Sequence, residues 1–473
     1  MALFALAAGG SACGSDETGG GGAGGMGAGG MAAGGSGGQA GGAGGGGAKP
    51  ADEHVVVLFT SDEHSHLFAF SPELDDFPIS TQKGTGKLVG GVARRAAVIA
   101  KERRAAKDAG KDSILVSAGD NQMGCLPHTV FETESVDYTT MKALGYDVTT
   151  FGNHEFDFGP KALATSIQAA QQHGGLPPIV ASNIHFSTSS PDDDTLAALY
   201  SKNVGDAAPV HPYRVITLKG GKKIGVLGYV GVNASHVAPN KTPVAFSELG
   251  VDPSMQADTS VVWPHLDADL QPIVDTLRNK EKVDLVIALS HGGINDTSSE
   301  AGIEAGDDWN VCRNVSGIDF IVSGHAHNAD PKPIEVTNAK TKKGCLVLNG
   351  SAFGQHLGRV EFTIPGGGGD VTWDKSTQAL IPIDDTTLPD ATEAQAVPGI
   401  VESIENGAYL PSLLSRVTGT TVTNSTSTPG DLYFHPVGHT DFDVTDTHAL
   451  LFLSADAMLA AADAWGVTSG KAT

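Results

Sequence analysis

Basic residues are scarce in this chain. Its 473 residues include 30 Lys and Arg against 54 Asp and Glu, a formal net charge of -24. That balance excludes binding to nucleic-acid polymers, whose phosphates would be repelled. It does not exclude a small phosphate ester held through a cation, because a bound cation reverses the local field. Cysteine is scarce as well. Cys13, Cys125, Cys312 and Cys345 are the four, and no Cys-x-x-Cys pair occurs, so a metal module of that type is excluded. Cys312 and Cys345 could form a disulfide if the chain is exported; separately buried thiols are the alternative. No apolar run is long enough to span a bilayer. The length allows two domains and a large core.

The N-terminus reads as something other than fold. "MALFALAAGGSAC" (1–13) is a short apolar run ending in small residues. It resembles the tail of a bacterial lipoprotein signal, with Cys13 as the lipid-bearing residue, but lacks the basic segment of an export signal. The expectation is an exported protein, at the periplasm or cell surface, whose one membrane attachment would be a lipid anchor. Residues 14–50 are a Gly-rich tract that cannot bury a core and should act as a flexible tether.

From residue 51 the pattern changes to alternating strands and helices. Buried strands are expected at 55–59, 113–117, 283–290, 317–324 and 345–350, with shorter ones at "VTTF" and "PIVAS". A hairpin is expected across 213–230, and an edge strand at 357–364. Helical spacing runs through 92–107, 134–145 and 270–282, and Pro160 opens a helix after the loop "FGNHEFDFG". The fold class is therefore α/β.

Polar residues follow the strands. Asp62 and His64 come after the first, Asp120 after the second, and Asn153 and His154 after the third. His291 follows "VDLVIALS", and His325 with His327 follows "IDFIVSG". Loops at the carboxyl ends of parallel strands converge on one crevice. Each motif alone could be an ordinary polar turn. Together, five such loops bring hard oxygen donors and imidazole nitrogens to one place, which suits two divalent metal ions. His66, in the first loop, reads as a surface or supporting residue, and Cys125 as a small packing residue.

The blocks "TSDEH", "AGDNQMG", "ALGYDVTTFGNHEFDFG", "SHGG", "SGHAHN" and "GSAFGQHLGRV" resemble, in order, those of calcineurin-like metallophosphatases. The likeness, over about residues 52–365, is greatest to the bacterial 5'-nucleotidase group. It implies a four-layer α/β/β/α sandwich as the catalytic domain, 51–385. It also implies ligand roles: Asp62, His64 and His327 for one metal, Asn153, His291 and His325 for the other, and Asp120 bridging. Some members carry Gln where His327 stands, which could alter metal preference among Zn, Mn, Fe or Co. His154 would be the catalytic imidazole and Asp157 its orienting carboxylate. A metal-bridging hydroxide would attack the phosphorus in line, and His154 would protonate the leaving oxygen.

Residues 386–473 resemble a linker and the truncated start of the 5'-nucleotidase C-terminal domain, an incomplete α/β substrate domain. The expected function is hydrolysis of a small-molecule phosphate ester, a nucleotide first, by a monomer. A metallophosphodiesterase, or a hydrolase of cyclic nucleotides or nucleotide sugars, is the alternative. A surface-tethered protein that binds without cleaving would require a broken metal set, and none of the seven residues is missing.

Overall fold

The computed structural model describes residues 50–70, 88–238, 240–247, 264–294, 306–328, 332–388 and 390. The expectations for the N-terminal stretch with Cys13, for the tether up to residue 49, and for the chain beyond residue 390 lie outside the described residues.

Sixteen strands are described: β1 (Glu53–Thr60), β2 (Ala69–Phe70), β3 (Val89–Gly90), β4 (Asp112–Ser117), β5 (Val148–Thr150), β6 (Ile179–Val180), β7 (Val210–His211), β8 (Tyr213–Thr217), β9 (Lys223–Val230), β10 (Leu285–His291), β11 (Phe320–Ser323), β12 (Ile334–Thr337), β13 (Gly344–Asn349), β14 (His356–Ile364), β15 (Thr372–Trp373) and β16 (Ala379–Pro382). One sheet runs β15-β14-β1-β4-β5-β6-β7, with β16 also on β14. The other runs β12-β13-β11-β10-β9-β8. The central neighbours β1–β4–β5 and β9–β10–β11 are parallel, so their C-terminal loops share one end of each sheet.

The two-residue period of a strand explains the layering. In β1, Val55, Val57 and Phe59 enter the core between the sheets, while Val56 and Leu58 pack outward. In β10, Leu285, Ile287 and Leu289 face inward, and Val286 and Ala288 face out. Both faces are apolar because both are covered, as parallel strands require. On the outer face of the first sheet lie helices Val92–Asp108, Val136–Leu144 and Gly159–His173. Helices Pro264–Asp275 and Asp307–Asn314 cover the second. The arrangement is four layers, α/β/β/α.

Two sequence expectations change. The strand at 357–364 is not an edge: β14 pairs with β1 on one side and with β15 and β16 on the other. Those partners are two and four residues long, too short to leave a periodic signal. The helix expected at 270–282 starts at Pro264 and closes in a wider, π-type turn over Thr276–Glu281. Pro272 sits inside it, where the rules of sequence would start or stop a helix. The hairpin at 213–230 forms as expected, with Tyr213 opposite Leu227.

Cys312 and Cys345 are joined in a disulfide, with Cα atoms 5.6 Å apart, so they are not separately buried thiols. Cys125 is half-buried and outside that bond.

Phe320 sits between the sheets, edge-on to Phe59 at 5.8 Å and 5.3 Å from Phe362. Replacing it by Ala is expected to lower unfolding stability by about 3–5 kcal/mol, read from denaturant titration. A loss under about 1 kcal/mol would contradict this packing.

Candidate metal centre

All seven candidate ligands lie at the same end of the sandwich. His64 Nε2 is 3.0 Å from His327 Nε2 and 3.7 Å from Asp120 Oδ2. His327 Nε2 is 3.5 Å from Asp62 Oδ1. On the other side, His291 Nε2 is 2.9 Å from Asp120 Oδ2 and 3.1 Å from Asn153 Oδ1. Two sets of donor atoms within 4.8 Å of one another follow: Asp62, His64 and His327, and Asp120, His291 and His325. Asp120 also groups with His64 and His154, so it stands between the two sides. Cys13 lies outside the described residues.

The loops that carry these groups are held in unusual conformations. Asp62, His64, Asp120, His325 and His327 all have positive φ, between 49° and 70°. Each such residue costs on the order of 1–3 kcal/mol and persists only where its surroundings hold it. Backbone bonds do so here: the Asp62 and His64 amides donate to the Gly119 and Asp120 carbonyls, each at 3.0 Å. Gly152 has no freedom to be anything else, since a Cβ there would overlap Asp120 Oδ1.

Glu155 is the main residue the sequence reading left without a role. It is buried, and its carboxylate accepts the backbone N–H groups of Gly152 at 2.5 Å, Asn121 at 2.7 Å and Asp120 at 3.1 Å. It therefore ties the second and third loops together. The only hint was its position inside "GNHEFD". Asn233 is the other: its Oδ1 lies 2.8 Å from His325 Nε2, which fixes that ring and leaves Nδ1 for a ligand. His291 is fixed in the same way, through Nδ1 and the Ala118 carbonyl at 2.8 Å. His66 is half-buried: it bonds the His64 carbonyl and stacks near Phe70 and Phe353.

Charge is the governing problem of the site. Burial raises the pKa of Asp62, with His291 pulling it down and Asp120 pushing it up. Burial acts the same way on Asp120, but the charge and hydrogen bond of His291 outweigh it and hold that carboxyl low. Burial disfavours an imidazolium at His291, yet Asp120 beside it raises its pKa to about 10. His64 and His325 are driven down by burial, to about 3 and about 4. Their neutral rings keep lone pairs to donate.

These residues fit divalent cations. Asp62 Oδ2 is buried with no hydrogen-bond partner. The imidazole nitrogens of His64 and His327 face each other. The donors combine carboxylate, amide oxygen and imidazole, the set that first-row divalent metals take.

His154 sits beside this cluster, about one-third exposed, with Nδ1 2.9 Å from Asp157 Oδ2. That hydrogen bond is the largest influence on its pKa and raises it. Its backbone N–H donates to Asp120 Oδ1 at 2.9 Å, so the ring's place is tied to the shared carboxylate.

A two-sheet sandwich with this donor set on its strand-end loops is the arrangement of a calcineurin-like phosphoesterase domain. The chain belongs to the calcineurin-like phosphoesterase family, whose sequence profile matches residues 55–329. The trifunctional nucleotide phosphoesterase protein YfkN of Bacillus subtilis is 29% identical over 345 residues, 70% of this chain and 20% of that protein. The 5'-nucleotidase of Bos taurus is 29% identical over 323 residues, 65% of this chain and 46% of that protein. The chain thus spans less than half the length of these curated relatives. A 5'-nucleotidase precursor from Thermus thermophilus shares the fold, with a TM-score of 0.55 at 22% identity over 77% of this chain and 60% of that one.

Chelation is expected to lower the melting temperature by several degrees, and Mn or Zn should restore it, since a ligand that binds only the folded state stabilises it. An identical melting curve with and without chelator would count against the cation site.

Proposed function

We propose that the protein hydrolyses phosphate monoesters, with 5'-nucleotides as the substrate class. The observation that carries this reading is the pairing of a cation-type donor cluster with a carboxylate-supported imidazole at its edge. Asp62, His64 and His327 would hold one divalent ion, Asn153, His291 and His325 the other, and Asp120 would serve both. When bound, such ions supply Lewis-acid charge to phosphoryl oxygens and bring the ionisation of water into the neutral range.

The chain's own residues do the remainder. Asp157 holds His154 by Nδ1, so Nε2 is turned to the substrate side and keeps its proton to higher pH than a free imidazole. His154 gives that proton to the leaving oxygen. Asp120 fixes the imidazole's backbone, and Glu155 holds the Asp120 and Asn153 loops in register. Export is part of the proposal: the Cys312–Cys345 disulfide suits an oxidising compartment. Among the described residues no helix is long and apolar enough to cross a membrane.

The test is turnover of AMP and of bis(p-nitrophenyl) phosphate by metal-reconstituted protein. Faster hydrolysis of AMP is expected; activity on the diester alone would replace this reading with a phosphodiesterase. His154→Ala is expected to reduce kcat on AMP by about 10²–10⁴-fold. The loss should be much smaller on p-nitrophenyl phosphate, whose leaving group needs little protonation. Equal losses on both esters would remove the proton-donor role.

A further inference from the structure

His128 is a buried histidine to which the proposed function gives no part. It lies in the short 3-10 helix Leu126–Val130, after the Asp120 loop, with its backbone N–H on the Cys125 carbonyl at 3.0 Å. Its ring stacks on Phe131, with centroids 4.2 Å apart and planes 12° from parallel, and Phe158 packs on it at 5.4 Å. A phenylalanine would fill this place as well. It would also avoid the imidazole's Nε2, which is buried with no hydrogen-bond partner and so carries an uncompensated desolvation cost. Packing therefore does not account for the imidazole.

The other ring nitrogen does. His128 Nδ1 accepts the backbone N–H of Met123 at 3.0 Å. Burial holds the pKa of His128 down to about 4, so near neutral pH the ring keeps the lone pair that this bond needs. Met123 has φ 73°, a left-handed conformation that a residue with a side chain seldom adopts unless it is held. Its carbonyl faces His64, whose Nδ1 lies 3.2 Å away. A carbonyl can only accept, so the proton of the neutral His64 ring is on Nδ1, and its Nε2 lone pair faces His327 and Asp120. The next residue is pressed against His64 too: a Cβ on Gly124 would lie 3.0 Å from the His64 carbonyl oxygen and 3.1 Å from His64 Cβ.

We infer that His128 is a positioning residue for the candidate metal centre: by holding the Met123 peptide it orients His64, so that Nε2 is presented to a cation. This rests on the proposed ligand role of His64 and adds what aims that ring. The link is indirect. His128 holds the backbone of a residue five positions earlier, and that backbone holds a ring 59 positions away.

The experiment uses the full chain in five forms: unaltered, His128→Phe, His128→Asn, His64→Ala, and His64→Ala with His128→Phe. Phenylalanine keeps the stacked ring and removes the acceptor; asparagine returns an acceptor oxygen near the place of Nδ1. Zinc affinity is measured by calorimetry against a competing chelator. His128→Phe is expected to weaken one of two zinc ions about 10–100-fold, the scale of losing a group that orients a metal-bound histidine, and to leave the other within about twofold. His128→Asn should recover most of the loss. In the His64→Ala background the same change should cost nothing further, since both residues act through one ligand. Unchanged affinity at both ions in His128→Phe, an equal loss at both, or a full further loss in the His64→Ala background overturns the inference. Nitrogen NMR of labelled histidines in the metal-free chain tests it without relying on zinc. In the unaltered chain the ring protons should sit on Nδ1 of His64 and Nε2 of His128, and His128→Phe should release His64 to a mixture of tautomers. The opposite tautomer at either ring, or an unmoved His64 in His128→Phe, overturns it. If the unaltered chain takes up no zinc, the proposed cation site fails separately, and these tautomers decide the positioning.

Discussion

Negative charge crowded into a dry place is the constraint from which the rest of this structure follows. Asp62, Asp120 and Glu155 are each buried to within a few per cent of full enclosure. Buried carboxylates are tolerated only when paired or fully hydrogen-bonded. The three meet that demand differently. Glu155 is satisfied by backbone N–H groups, and Asp120 by the His291 imidazole and the His154 amide. Asp62 accepts from the His325 amide through Oδ1 and keeps an unpartnered Oδ2. In the proposed reading divalent cations would supply the countercharge that this arrangement asks for, and the imidazoles around it would supply further ligands.

The sandwich exists to hold that concentration of charge in place. Its inner core is built from alternate residues of the strands, and the central parallel ones, β1, β4 and β5 in one sheet and β9, β10 and β11 in the other, deliver their C-terminal loops to one end of each sheet. The left-handed residues of these loops are kept by cross-loop bonds, by Glu155 and by a glycine that leaves room for Asp120. Stability stored in β1, β4, β10 and β11 thus offsets strain stored at their ends. In the proposed reading the same economy accounts for His154 following Asn153 directly: one loop would give a ligand, and its next residue the proton donor.

Much of this was legible in the residues. Strands with apolar runs of five or more stood out, and the polar groups after them identified the crevice. The structure brings the seven ligand candidates to one end and sets His154 beside Asp157; their roles belong to the proposal. What escaped is what one-dimensional patterns do not carry. The φ values at Asp62 or His327 depend on contacts from other loops. Glu155 and Asn233 act through partners 34 and 92 residues away. The interior place of β14 depends on two strands too short to read, and the early start of the helix at Pro264 hides behind an internal proline. The Cys312–Cys345 pair was one of two open alternatives, because sequence gives separation and not direction.

The most direct test of the central claim is the number of metal ions held per chain, measured by elemental mass spectrometry after reconstitution and extensive dialysis. The unaltered protein should retain two divalent ions, and Asp120→Asn, which removes the charge shared by both sides, should retain one or none while keeping its far-UV circular dichroism. Two ions retained by a folded Asp120→Asn variant, or none by the unaltered chain, would contradict it.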